Sequence, residues 1–219
     1  MGGAIRRCGM STLALKRMTV DEFLLWDDGT GARHELIDGV PVAMAPSYGA
    51  HQIIAGNLAI EIGGALRKRP PCHVRSEAGI LKPNSVRNWF QADLAVTCTP
   101  HRHGQYETPD PVVVVEVLSH STQDHDRKVK LPVYRSIPSV QEILLVHSEL
   151  LYVELHRRVD GTRWLTELLV EEADLLRLES IAVEIPLAAL YANVDLGADA
   201  GPGAVPGADL GAAPGTPPA

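Results

Sequence analysis

At 219 residues, with 45% hydrophobic and 21% charged side chains, the chain has the composition of one globular domain able to bury a core. No apolar run approaches the ~18 residues of a membrane span and no signal-like stretch stands near the start, so a cytoplasmic protein with no membrane partner is the expectation. A net charge of -7 excludes a protein that coats nucleic acid by bulk electrostatics and leaves any such role to a local site.

Residues 1–17 are weakly patterned and read as an N-terminal extension. Thr19-x-x-Glu22 is a capping box opening a short helix near Val20 to Trp26. His34 to Ile37 and Val40 to Met44 read as a hairpin turning at Asp38-Gly39. From Ala50 to Lys68, Ile54, Leu58, Ile62 and Ala65 recur at helical spacing, and Pro70-Pro71 bounds the helix. Strands are predicted at His73 to Leu81, Trp89 to Val96, Val112 to Leu118, Glu142 to His147, Leu151 to Arg157 and Trp164 to Val170, the last two joined at Asp160-Gly161. A second helix falls between Thr122 and about Ser136, with Pro132 expected to kink or interrupt it. The pattern predicts an α/β (α+β) domain over residues 18–194: a mixed central β-sheet flanked by helices, with an N-terminal hairpin and a C-terminal antiparallel hairpin. The Gly/Ala/Pro-rich residues 195–219 are expected to be a disordered tail. Cys8, Cys72 and Cys98 form no CxxC pair and are expected to be reduced thiols.

Val112 to Leu118 is apolar enough for a strand covered on both faces, yet it carries Glu116. A buried carboxylate must be paired, protonated or bound to a cation. Asp93 is embedded in a second apolar strand. If the two strands are neighbours, both acids can point into one cleft and share a hard divalent ion such as Mg²⁺; a structural Asp93, paired with an arginine or a turn amide, is the plainer alternative. Asp126, Lys130 and Tyr134 share a helix face at i, i+4, i+8. Lys130 could then reach the cleft, or simply pair with Asp126 at the surface.

The ordered series His34 to Gly39, His51-Gln52, Gln91-Ala92-Asp93-Leu94, Val114 to Thr122, Asp126, Lys130 and Tyr134 resembles the Uma-type restriction endonuclease family of the PD-(D/E)XK nuclease superfamily. The likeness is strong over Met18 to His147 and weak over the following hairpin. It implies a restriction-endonuclease-like fold, Mg²⁺ as cofactor with Mn²⁺ as substitute, and hydrolysis of DNA phosphodiester bonds. It also implies Asp93, Glu116 and the Val117 carbonyl as metal ligands, with Lys130 in the role of the motif lysine. Ala92 stands in place of the motif proline, and Leu118 occupies the usual lysine position, so the lysine must come from the helix, where Lys128 is a rival to Lys130.

Glu35 and His51 belong to the same series. Glu35 is either a further carboxylate of the site or a polar residue on a half-exposed strand. His51 is either a proton carrier or phosphate contact, or a structural histidine. Glu77 is a weaker candidate for the acidic cluster, while His120 and His125 are expected to flank the cleft. Cys98, His101 and His103 could bind zinc but lack a fourth ligand. No P-loop, GxGxxG, GxSxG or HExxH is present. The alternative to an enzyme is a catalytically inactive binding or homodimeric assembly module built on the same fold.

Overall fold

A computed structural model describes residues 17–46 and 48–197. The expected N-terminal extension and C-terminal tail lie outside the described residues, apart from residue 17 and residues 195–197.

The first element among the described residues is α1 (Val20–Leu24), capped at its N-terminus by the Thr19/Glu22 capping box. The hairpin of β1 (His34–Ile37) and β2 (Val40–Ala43) follows, turning through Asp38 and Gly39 at φ 48° and 83°. A side chain at Gly39 would meet the Met18 carbonyl at 2.9 Å, so both conformation and space call for glycine there. The long helix α2 (Gly49–Leu66) buries Ile54, Leu58, Ile62 and Leu66. Its buried stripe advances in steps of four, so Leu66 takes the place expected for Ala65, which is exposed.

Five strands then build the centre: β3 (His73–Leu81), β4 (Trp89–Thr97), β5 (Pro111–Leu118), β6 (Glu142–His147) and β7 (Val153–Arg158), followed by β8 (Trp164–Leu169). The sheet runs β2-β1-β4-β5-β6-β7-β8, with β3 also paired to β4. β5 and β6 are parallel and the other pairs antiparallel. The helical crossover between β5 and β6 consists of α3 (Gln123–His125), a π-helical turn (Asp126–Lys130) and α4 (Leu131–Ser136). Pro132 does not break this helix. Instead the Leu131 N–H reaches back five residues to the Asp126 carbonyl, and the widened turn is placed just ahead of the proline.

Beyond Val170 the sequence predicts no element, although the domain is expected to run to residue 194. A small separate sheet joins β9 (Leu175–Leu178) to β10 (Val183–Pro186) through a 3-10 turn, and α5 (Leu187–Leu190) follows. These strands of four residues are too short to announce themselves, but Val183 and Ile185 alternate inward as strand residues should. Together with α2 they cover one face of the large sheet, packing against Val113, Val115 and Val117. The crossover helix covers the other face, against Val114, Leu118 and Phe90.

One expectation is overturned. Cys72 and Cys98 are joined by a disulfide, where the lack of a CxxC spacing pointed to free thiols. The two residues flank the His73–Thr97 pair of the β3–β4 ladder, so the pairing of these strands brings together two cysteines that are far apart in sequence. Cys8 lies outside the described residues.

Candidate active site

The site forms where the β4–β5 ladder opens. Pairing runs from Thr97 to Leu94 on β4, ending at Leu94–Val115. β1 meets the same edge of β4 only at Trp89. Between these points side chains take over the work of a neighbouring strand. The Asp93 carboxylate accepts the Val117 N–H at 2.7 Å, Glu35 accepts the Gln91 N–H at 3.0 Å, and the Gln91 carbonyl accepts the Lys130 ammonium at 3.0 Å.

Asp93 also stands where β3 and β4 change facing. Glu77, opposite it, has φ 49°, and the register passes from Ser76–Leu94 to Ala78–Ala92. On one side of this break Phe90 and Ala92 pack under the crossover helix; on the other, Leu94 and Val96 pack under α2. Regular alternation could not have delivered all four to these places. Glu77 itself pairs with Arg33 at 2.6 Å and stays at the surface, outside the cluster.

Lys130 is the hub. Its ammonium lies 3.0 Å from Glu35, 3.2 Å from Asp126 and 3.3 Å from Glu116, and all four side chains are nearly inaccessible. The Tyr134 hydroxyl donates to the same Glu116 oxygen that faces Lys130. Asp126, Lys130 and Tyr134 therefore do share the face read from their spacing, but the Asp126–Lys130 contact is buried, not at the surface. Lys128 is not the rival it looked: it pairs with Asp124 at 2.8 Å, well exposed.

The remaining candidates fall into place around this hub. Glu35 is buried and also accepts His125 Nε2–H at 2.8 Å, so it is a member of the cluster and not a half-exposed hairpin residue. His51, in the first turn of α2, places Nε2 3.2 Å from Asp93 and leaves Nδ1 buried without a partner. Val117 lines the same small cavity, about 40 Å³, with Asp93, Glu116, His51 and Lys130. His120 is exposed. Sequence reasoning did not foresee that Asp126 would be buried, that Tyr134 would hold Glu116 or that His125 would hold Glu35; the i, i+4, i+8 spacing was the available signal for the first two.

The electrostatics follow from burial. Removal from water raises the Glu116 pKa well above the carboxylate range, Lys130 pulls it down, and Asp126 and Asp93 push it further up. Burial raises Asp126 as well, with Lys130 and Thr122 opposing. For Glu35, burial is outweighed by the His125 hydrogen bond, the Lys130 charge and the Gln91 N–H, so its pKa is lowered. Burial alone would lower Lys130, but Glu116, Glu35 and Asp126 together raise it above the ordinary lysine value. Three acids thus converge on the Lys130 charge, and a fourth, Asp93, lines the same small cavity.

That imbalance fits a divalent cation. Asp93 and Glu116 supply hard oxygen ligands of the kind Mg²⁺ takes, and they share the small cavity. The described residues hold no ready-made group of three or more His, Cys, Asp or Glu ligands, which also leaves Cys98, His101 and His103 without the geometry of a zinc site.

Comparison with known proteins agrees with this architecture. The chain is 29% identical over 179 residues to the uncharacterized protein slr1290 of Synechocystis sp., covering 81% of this chain and 93% of that one. It is 27% identical over 174 residues to the uncharacterized protein sll1609 of the same organism, covering 76% and 96%. A crystal structure described as a putative nuclease belonging to DUF820 from Anabaena variabilis superimposes with a TM-score of 0.65 at 19% identity, over 80% of this chain and 97% of that one. At that identity the likeness shows the fold. The sequence pattern of the family described as "Uma2: Putative restriction endonuclease" matches residues 20–189. With so much of the domain matched, and with the fold and the carboxylate–lysine cluster in place, the chain belongs to the Uma2 family.

Proposed function

We propose that the protein is a Mg²⁺-dependent endonuclease that hydrolyses phosphodiester bonds in DNA, with Mn²⁺ able to replace Mg²⁺. The observation that carries this reading is the meeting of Asp93, Glu116 and Lys130 around one small cavity at the ladder's open end. Asp93, Glu116 and the Val117 carbonyl would hold the ion. When bound, it would supply charge neutralisation at the scissile phosphate and a more acidic water.

The chain's own groups do the rest. Lys130 brings a buried positive charge to the place where negative charge grows on the phosphate, and low dielectric strengthens its effect. His51 steadies Asp93 through Nε2, and its unpartnered Nδ1 is available to accept a proton from the attacking water. The overall charge of -7 leaves DNA to be positioned by local basic side chains.

Cleavage of single-stranded, double-stranded and branched DNA in Mg²⁺ by wild type, Asp93→Asn, Glu116→Gln and Lys130→Ala tests this. Loss of at least a hundredfold in each variant is expected. Undiminished cleavage by all three would contradict it.

A second reading has one observation in its favour. Lys130 has four acceptors within 3.3 Å and only three N–H bonds to give, so the cluster is also a self-contained structural core. A non-catalytic module could then use the exposed Leu165 and Leu168 of the outer strand β8 for homodimerisation. Under that reading no metal binding depends on Asp93 and Glu116.

A further inference from the structure

Beside the small cavity lies a larger one of about 290 Å³, lined by Val42, Ala43, Met44 and Ala45 on one side and by Ser121, Thr122, His125 and Asp126 on the other, with Glu35 and Lys130 at its base. The two cavities share Met44, Ala45, Thr122, Asp126 and Lys130. Whatever fills the larger one is therefore a direct neighbour of the group held at Asp93 and Glu116.

Its size is at the lower limit of small-ligand sites, which begin near ~300 Å³. That suits one planar base with part of its sugar, and not a base pair. Its wall from Val42 to Ala45 is apolar, and Val42 is 41% exposed, a surface on which a base face can lie.

Its polar side is rich in acceptors and carries net negative charge. Glu35 and Asp126 are both present, and the Lys130 ammonium is already taken up by its partners. A phosphate would be repelled there, whereas a neutral base would not. His125 gives its Nε2–H to Glu35, so in the neutral ring Nδ1 is left as an acceptor, and it has no partner among the described residues. An acceptor at that place recognises an N–H donor. Cytosine, adenine and guanine carry an exocyclic amine with two N–H groups, whereas the single N3–H of thymine is flanked by two carbonyl oxygens that the Glu35 and Asp126 carboxylates of the lining disfavour.

Resting on the nuclease reading above, we propose that this cavity holds one unstacked, amine-bearing base next to the bond being cut, so that DNA with an unpaired nucleotide at that bond is the preferred substrate class. Drawing a base out of an intact duplex sacrifices its stacking and pairing, and an unpaired nucleotide avoids that cost. His125 is then a specificity residue, and Glu35 positions it.

The test is twofold and uses the full chain. Fluorescence anisotropy in EDTA at low ionic strength compares dC12, dA12, dT12 and an abasic strand of the same length, with wild type, His125→Ala and the cavity-filling Ser121→Phe. Wild type should bind dC12 and dA12 at least fivefold more tightly than dT12, and the abasic strand at least tenfold more weakly than dC12. His125→Ala should erase the difference between dC12 and dT12, and Ser121→Phe should weaken every base-bearing strand toward the abasic value. In Mg²⁺, wild type should cut a flapped or gapped strand at least tenfold faster than the same sequence in intact duplex. Equal binding of the abasic and base-bearing strands would overturn the cavity's role even if DNA is cut. Base-dependent binding with no cleavage of any DNA would instead overturn the nuclease reading while leaving the base site standing.

Discussion

The Lys130 ammonium stands 3.3 Å from Glu116, although the position two residues after Glu116, on the same strand face, is occupied by buried Leu118. The lysine arrives from the crossover helix. The π-helical turn ends at Lys130, and the extra residue it accommodates sets the phase that brings Asp126, Lys130 and Tyr134 to one face. A chain can thus keep a carboxylate–lysine pair while changing which element supplies the lysine.

The hub position of Lys130 predicts a large stability effect that its neighbour Lys128 will not share. Lys130→Met leaves buried carboxylates without their counter-charge and should cost about 3–5 kcal/mol. Lys128→Ala removes an exposed pair and should stay within about 0.5 kcal/mol. Urea melts of the two variants beside wild type check this.

Glu116 should make metal affinity depend on pH. Its pKa lies well above the ordinary 4.5, so the metal-free fold favours the protonated form. That contribution to stability is complete below about pH 4.5 and is lost as pH rises through the raised value. A cation must displace the proton, so Mg²⁺ or Mn²⁺ should bind more tightly as pH rises, by up to about tenfold per unit within that window. Calorimetric titrations between pH 5 and 8 should show this slope in wild type, and Glu116→Gln should remove it.

Tyr134 holds the same carboxylate in place. Tyr134→Phe deletes a buried hydrogen bond to Glu116 and should cost about 0.5–1.5 kcal/mol. It should also raise the Glu116 pKa further, because the hydroxyl favours the ionised form. The metal-binding profile should accordingly move to higher pH, which a purely structural tyrosine would not cause.

Glu142 provides a contrast within the same sheet. It too is a buried acid on an apolar strand, but it accepts the Glu179 and Ser180 N–H groups at 2.9 and 3.2 Å and faces Arg157 at 3.2 Å. Glu142→Ala should destabilise by about 1–3 kcal/mol through the Glu179 and Ser180 N–H groups it leaves without an acceptor, while Arg157 keeps Glu167, Glu179 and the Arg177 carbonyl. Metal affinity, measured by calorimetry at a temperature where the variant remains folded, should be unchanged.

The Glu116/Glu142 comparison also shows what could be read without coordinates. A carboxylate in an apolar strand declares that it needs a partner, but not which one. Glu142 starts its strand and meets a turn that was itself unread, since β9 and β10 are short and depend on packing against α2 and the large sheet. Glu116 lies near the end of its strand, where the ladder opens, and the spacing of Asp126, Lys130 and Tyr134 made Lys130 legible as its partner, but not the Tyr134 hydroxyl. The facing change at Asp93 was not legible, because it depends on the left-handed backbone of Glu77 on another strand. The disulfide was hidden for a similar reason: only the β3–β4 register brings Cys72 to Cys98.

The central claim is that Asp93 and Glu116 share one divalent ion. Titration with Mn²⁺ followed by electron paramagnetic resonance measures this directly, without requiring turnover or a substrate. Wild type should take up one ion per chain, and Asp93→Asn and Glu116→Gln should each weaken that uptake at least tenfold. Unchanged stoichiometry and affinity in both folded variants would contradict the account.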